Sequence, residues 1–150
     1  MPTFIYDVNI NSTPEKVFAH ITEFANHDSW YEYPWRVESL SVGEIKLGSQ
    51  FRSTGDDFIG KQIPNEIIVT EFQPPIRFCF RCTDLRFPNP TMHEFTLRSQ
   101  PGSIVLERKF ISNPGFPFNI LFSLVIEPFF GRPAMLRSMN KIKTNIEAKL

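Results

Sequence analysis

A chain of 150 residues fits one domain, and such a domain buries roughly two-thirds of the surface that its unfolded form exposes, so it holds a core without staples. Apolar residues make up 41% and charged residues 21%, which excludes a disordered composition. Sixteen basic residues balance sixteen acidic ones with no basic stripe, so the usual source of attraction to nucleic acid is missing and no nucleic-acid partner is expected.

The opening Met1-Pro2-Thr3-Phe4 lacks the basic region and apolar run of a signal peptide, and a cytoplasmic location is the expectation. Phe4, Tyr6, Val8 and Ile10 alternate with polar residues as in a half-buried strand. Asn11-Ser12-Thr13-Pro14-Glu15 reads as a helix start, with Ser12 and Glu15 fitting a capping box and Pro14 tolerated in the first turn. Val17, Phe18, Ile21 and Phe24 follow at helical spacing, and Asn26-His27-Asp28 breaks or turns the helix before Trp30.

The pattern then becomes strand after strand, with expected strands over 35–44, 48–54, 61–72, 76–83, 91–99 and 103–111. Gly43, Gly48, Gly55-Asp56-Asp57, Pro74-Pro75, Pro88-Asn89-Pro90 and Pro101-Gly102 supply the turns. Short turns between successive strands imply an antiparallel meander, because parallel pairing needs long crossovers.

Asn113-Pro114-Gly115-Phe116-Pro117 reads as a loop, followed by an apolar run from Phe118 to Phe130. This run is shorter than the about twenty residues a membrane-spanning helix needs, so no transmembrane segment is expected. Pro128 to Pro133 are expected to kink or split the helix. From Ala134 onward Met135, Met139, Ile142, Ile146 and Leu150 form one apolar stripe, with Arg137, Lys141, Lys143 and Lys149 off it.

The order is strand, one or two short helices, six strands, long helix. One sheet face must be covered, and the terminal helix is the only long element available. The expectation is therefore an α+β fold of one domain over 1–150, with a curved seven-stranded antiparallel sheet around a long C-terminal helix.

This order resembles the polyketide cyclase/dehydrase and lipid-transfer superfamily, the SRPBCC or START-like helix-grip domains. The resembling segments are Val8-Asn9-Ile10-Asn11-Ser12-Thr13-Pro14-Glu15-Lys16-Val17-Phe18, Val69-Thr70-Glu71-Phe72-Gln73-Pro74-Pro75-Ile76-Arg77-Phe78 and Ile142-Lys143-Thr144-Asn145-Ile146-Glu147. The resemblance implies a hydrophobic pocket between sheet and helix, used for lipids, polyketides, hormones or quinones. The superfamily has no universal catalytic signature, so no catalytic residue is carried over.

Strand parity places Ile76, Phe78, Phe80 and Cys82 on one face, with Arg77 and Arg81 on the other. His93, Phe95, Leu97 and Ser99 form the inward set of the next strand, and Ile104, Leu106, Arg108 and Phe110 that of the last. The candidate ligand-binding residues are Phe78, Phe80, His93, Phe95, Leu106, Arg108, Phe110, Met135 and Met139. Arg108 suits a ligand carboxylate or enolate, and His93 suits a general acid or base. Against this, Arg108 pairing with a buried carboxylate or sitting at the sheet rim, and His93 as a hydrogen-bonded structural residue, stay open.

His27 and the aromatic cluster Trp30, Tyr31, Tyr33 and Trp35 suit a pocket mouth, a polar loop or a core end. Phe116, Phe118, Phe122, Phe129 and Phe130 are expected in the core, and exposed members would suit a lipid surface or a subunit contact. Cys79 and Cys82 lie on a strand pattern and face opposite sides, so two packed free thiols are expected. No paired His, phosphate loop or hydrolase elbow is present, and no metal or other cofactor is expected.

Three functions compete: binding or transport of a small hydrophobic ligand, a cyclase or dehydratase acting on a polyketide-like substrate, and a protein-interaction module with a vestigial pocket. A homodimer is left open.

Overall fold

Among the described residues, alternation of apolar and polar side chains gives seven strands, and all seven join one curved antiparallel sheet. The computed structural model describes residues 2–24, 35–55, 65–84 and 89–148. The strands are β1 (Thr3–Ile10), β2 (Trp35–Ser39), β3 (Gln50–Gly55), β4 (Asn65–Gln73), β5 (Arg77–Asp84), β6 (Thr91–Gln100) and β7 (Ser103–Ile111). Their spatial order is β1-β7-β6-β5-β4-β3-β2. β2 to β7 form the expected meander, and β1 returns to pair with β7. The β6–β7 turn uses Gly102 at a φ of +77°, where a Cβ would be strained. In β4 a bulge between Val69 and Glu71 shifts the register with β5.

Helix α1 (Pro14–Thr22) follows β1. Its cap differs from the expected box: Thr13 Oγ1, not Ser12, accepts from the Lys16 backbone N–H at 3.4 Å. Val17, Phe18 and Ile21 face the core, where Phe18 meets Phe72 and Phe78 edge-on. The second short helix and the cluster of His27, Trp30, Tyr31 and Tyr33 fall on residues 25–34, outside the described residues, as does residue 150 at the end of the apolar stripe.

Of the kink or split expected near Pro128 to Pro133, the split is not found. The chain is helical from α2 (Phe118–Leu121) through a π-helical stretch (Phe122–Gly131) into α3 (Arg132–Glu147). An α-helix interior rejects proline because the ring meets the carbonyl four residues back. Bonding from i to i+5 widens the turn and takes that carbonyl off the ring's path, so Pro128 is carried without a break.

Helix α3 lays Met139, Ile142 and Ile146 into the core beside Phe78, Phe95, Leu97 and Leu106, and Met135 packs half-buried at its edge. Lys143 locks the helix end to β1. Its Nζ donates to Asn9 O at 2.7 Å and to Glu147 Oε1 at 2.6 Å, while the Asn11 N–H donates to the same oxygen at 2.9 Å. These bonds, the Lys143 bond first, hold the Glu147 carboxyl below its ordinary range.

Two inward assignments fail at strand ends. Ile76 sits in the turn before β5 and is exposed, and Ser99 is exposed where β6 nears its turn. The phenylalanines of the apolar run also depart from expectation. Phe122 turns inward against Phe4 and Phe110, but Phe116, Phe118, Phe129 and Phe130 are exposed rather than core. Among the described residues no helix is long and apolar enough to cross a membrane.

Candidate functional site

Register decides which side chains meet on the concave face. Tyr6, Arg108, Phe95 and Phe78 stand opposite one another in one row across β1, β7, β6 and β5. Phe4, Phe110, His93 and Phe80 form the next row, and Val8, Leu106 and Leu97 flank Arg108 on the other side. The parity reading thus brings Phe78, Phe80, His93, Phe95, Leu106, Arg108 and Phe110 onto one face, with Met139 buried against it and Met135 at its edge.

Within this apolar surface lies a polar pair. Arg108 is 1% exposed and His93 7%. Arg108 Nη2 lies 2.9 Å from His93 Nδ1. A guanidinium only donates, so Nδ1 is the acceptor and the ring proton sits on Nε2. The Arg108 guanidinium carbon lies 5.1 Å from the centroid of Phe95, and the His93 ring stacks on Phe80 at 4.8 Å. The rim position considered for Arg108 is excluded by its burial.

A second polar group adjoins the first. Tyr6, the cross-strand neighbour of Arg108, donates its hydroxyl to Glu127 Oε1 at 2.6 Å. Glu127 is buried and projects from the π-helical stretch, where widened turns often mark functional positions. Arg132 approaches the same oxygen at 3.8 Å and stands over the Tyr6 ring at 5.4 Å. Burial, then the bond to Glu127 and its charge, raise the Tyr6 pKa against the opposing pull of Arg132 and Arg108. Tyr6 is therefore held as a protonated donor.

Sequence reading missed Glu127 and treated Tyr6 as an apolar strand residue. The available signal was that Glu127 is the one charged residue between Ser112 and Gly131. A lone carboxylate in such a run is costly to bury without a donor.

The convex face carries a different network. Arg77 Nε donates to Glu71 Oε2 at 2.8 Å, and Glu94 lies within 3.5 Å of Arg77 and 3.7 Å of Lys109. Cys79 packs beneath it, 3.5 Å from Glu71, and burial pushes its thiol up to about 12. Cys79 and Cys82 form no disulfide, as expected from opposite-facing strand positions. Among the described residues no three His, Cys, Asp or Glu side chains cluster as metal ligands would.

No known family profile matches the sequence, and no curated protein matches it. Solved structures do share the fold. Protein TTHA0849 from Thermus thermophilus superposes with a TM-score of 0.79 over 99% of both chains at 11% identity. Protein CV1439 from Chromobacterium violaceum gives 0.72 at 13% identity, covering 97% of this chain and 96% of its own. DynU16, a protein in the dynemicin biosynthetic locus, gives 0.70 at 16% identity, covering 98% of this chain and 48% of its own. At these identities the likeness establishes the architecture: a seven-stranded antiparallel sheet with a long C-terminal helix.

Proposed function

We propose that the concave face binds a small hydrophobic molecule bearing an anionic oxygen, such as a carboxylate or enolate, with Arg108 as its anchor. The observation that carries this reading is the buried Arg108–His93 pair among Phe80, Phe95 and Phe110. Placing a guanidinium on an apolar face is costly, and an aliphatic side chain of similar volume would often serve stability as well or better. An anionic ligand group gives the charge a use. The element order and the START-like segments support placing the chain among the helix-grip proteins, whose ligands are lipids, polyketides and quinone-like molecules. DynU16's setting in a biosynthetic locus is in keeping with small-molecule work on this architecture.

A second reading has its own observation. Tyr6 and Glu127 form a donor–acceptor pair next to Arg108, which is the acid–base equipment a cyclase or dehydratase would use. Turnover of a polyketide-like ligand that is lost in Tyr6→Phe would favour that reading over simple carriage.

The binding test uses displacement of an apolar fluorescent probe. Saturable probe binding is expected, with fatty carboxylates and matched neutral alcohols both competing. Arg108→Leu should weaken carboxylates by roughly 1.5–3 kcal/mol and leave the alcohols nearly unchanged. Equal loss for both classes, or loss for neither, in a folded variant would overturn the anchor role.

A further inference from the structure

Helix α3 buries a polar atom that the fold does not use. Ser138 is 3% exposed and is the only buried polar side chain of α3 among the described residues. It shares the buried stripe with Ala134 one turn before and Ile142 one turn after, so it points toward the interior. A hydroxyl inside a helix has an ordinary solution, which is to turn back to the carbonyl four residues before. Thr22 in α1 adopts it, donating to Phe18 O at 2.8 Å. Ser138 does not: its Oγ is buried and has no hydrogen-bond partner among the described residues.

Stability does not explain a serine here. Alanine forms helix better, Ala134 already occupies the same stripe, and a buried hydroxyl that bonds nothing opposes folding. A hydroxyl in that position suits a partner that arrives from outside the chain. Its place along the sheet fits the same reading. Arg132 stands over the Tyr6 ring and Lys143 bonds the Asn9 carbonyl, so the helix follows β1 and Ser138 lies between these two ties. The β7 partners of Tyr6 and Val8 are Arg108 and Leu106. Ser138 thus faces the sheet along the stretch of strand that carries Arg108.

We infer that Ser138 is a second polar contact for the molecule anchored by Arg108, bonding an uncharged oxygen, a hydroxyl or a ketone, on its apolar body. A serine hydroxyl both donates and accepts, so it serves either oxygen. The ligand class narrows from an apolar acid to an oxygenated apolar acid, held from the sheet and from the helix. This inference rests on the concave face being the binding site.

The test is isothermal titration calorimetry of the full chain with dodecanoic acid and with hydroxydodecanoic and oxododecanoic acids carrying the oxygen at successive chain positions. At least one oxygenated acid should bind the native protein about threefold to tenfold tighter than dodecanoic acid, the range for one added hydrogen bond. The better of the two series identifies the oxygen. Ser138→Ala should erase the preference and leave dodecanoic acid within about twofold of its native affinity. Ser138→Cys, similar in shape but a weak donor and acceptor, should erase most of it. The urea midpoint of Ser138→Ala should equal or exceed that of the native protein, because no bond is lost. A clearly lower midpoint would give the hydroxyl a structural bond and overturn the inference. So would dodecanoic acid binding as tightly as every oxygenated acid, or a preference that survives in Ser138→Ala; both results leave the Arg108 reading standing. Arg108→Leu separates the two claims. If it leaves every affinity unchanged while Ser138→Ala still erases the preference, the anchor fails and the serine contact holds. A native protein that binds none of the acids overturns both.

Discussion

Tyr6 in the first strand donates its hydroxyl to Glu127 Oε1 at 2.6 Å, across a sequence separation of 121. This bond ties the π-helical stretch to the sheet edge and satisfies a buried carboxylate. Tyr6→Phe removes the donor and leaves the acceptor, at an expected cost of roughly 1.5–3 kcal/mol in urea melts. The same pair sets an alkaline limit. The folded Tyr6 pKa is raised above its ordinary value of 10.0, so its contribution is complete below that pH and falls as pH rises through the folded value. Native stability should therefore decline above about pH 10 more steeply than that of Tyr6→Phe. Parallel slopes for the two proteins would refute the assignment.

The two thiols should differ in reactivity. Burial pushes Cys79 up to about 12, whereas Cys82 is only half-buried. Alkylation of the native protein at neutral pH should mark Cys82 first and Cys79 only on unfolding. Peptide mass spectrometry on a time course reads the order. A non-reduced, denatured sample should contain both thiols free, and a Cys79–Cys82 bridge would contradict the strand geometry.

Helix docking is tested by two adjacent residues of α3, one buried and one partly exposed. Ile142 is fully buried, and Ile142→Ala should cost about 2–5 kcal/mol. Lys143→Ala, which loses partly exposed contacts to Asn9 and Glu147, should cost a small fraction of that. The Lys143 bond lowers the Glu147 pKa below 4.5, so its stabilisation is present above that pH and is lost as pH falls through the folded value. The gap between native protein and Lys143→Ala should close in acid. A gap that stays constant there would assign the lysine a packing role instead.

Leu106 beside Arg108 offers a steric test of the concave site. Leu106→Trp adds volume to a fully buried position, at a cost of about 1–3 kcal/mol if the core must adjust. A folded variant should bind the apolar probe more weakly than the native protein. Unchanged affinity would place the bound probe elsewhere on the molecule.

The sheet and its inward faces were legible because period two is a local property. His93, Phe95, Leu106 and Arg108 fall on the concave face as their parity indicates. Strand ends escaped the rule, since Ile76 and Ser99 lie where pairing gives way to a turn. Pro128 suggested a kink or a split because proline chemistry is calibrated on the α-helix, and the wider helix found here carries it without a split. The Tyr6–Glu127 contact was invisible for a different reason. Each partner alone looks ordinary, and the contact exists only once β1 has crossed beside β7 and the final helix has closed over both.

That return of β1 also governs the order in which the molecule can assemble. Strands β2 to β7 pair with their immediate successors, so hairpins can form locally and zip together. β1 has no such neighbour. Thr3 must wait for Ile111, and Ile10 for Ile104, before either gains a ladder partner. On the ribosome the earliest strand stays unmatched until nearly the whole sheet has been synthesised. Such long-range closure slows folding because chain entropy is lost before the contacts form. The edge that carries Tyr6 is thus the part of the sheet with the longest wait for a partner, and its bond to Glu127 needs the C-terminal helix as well.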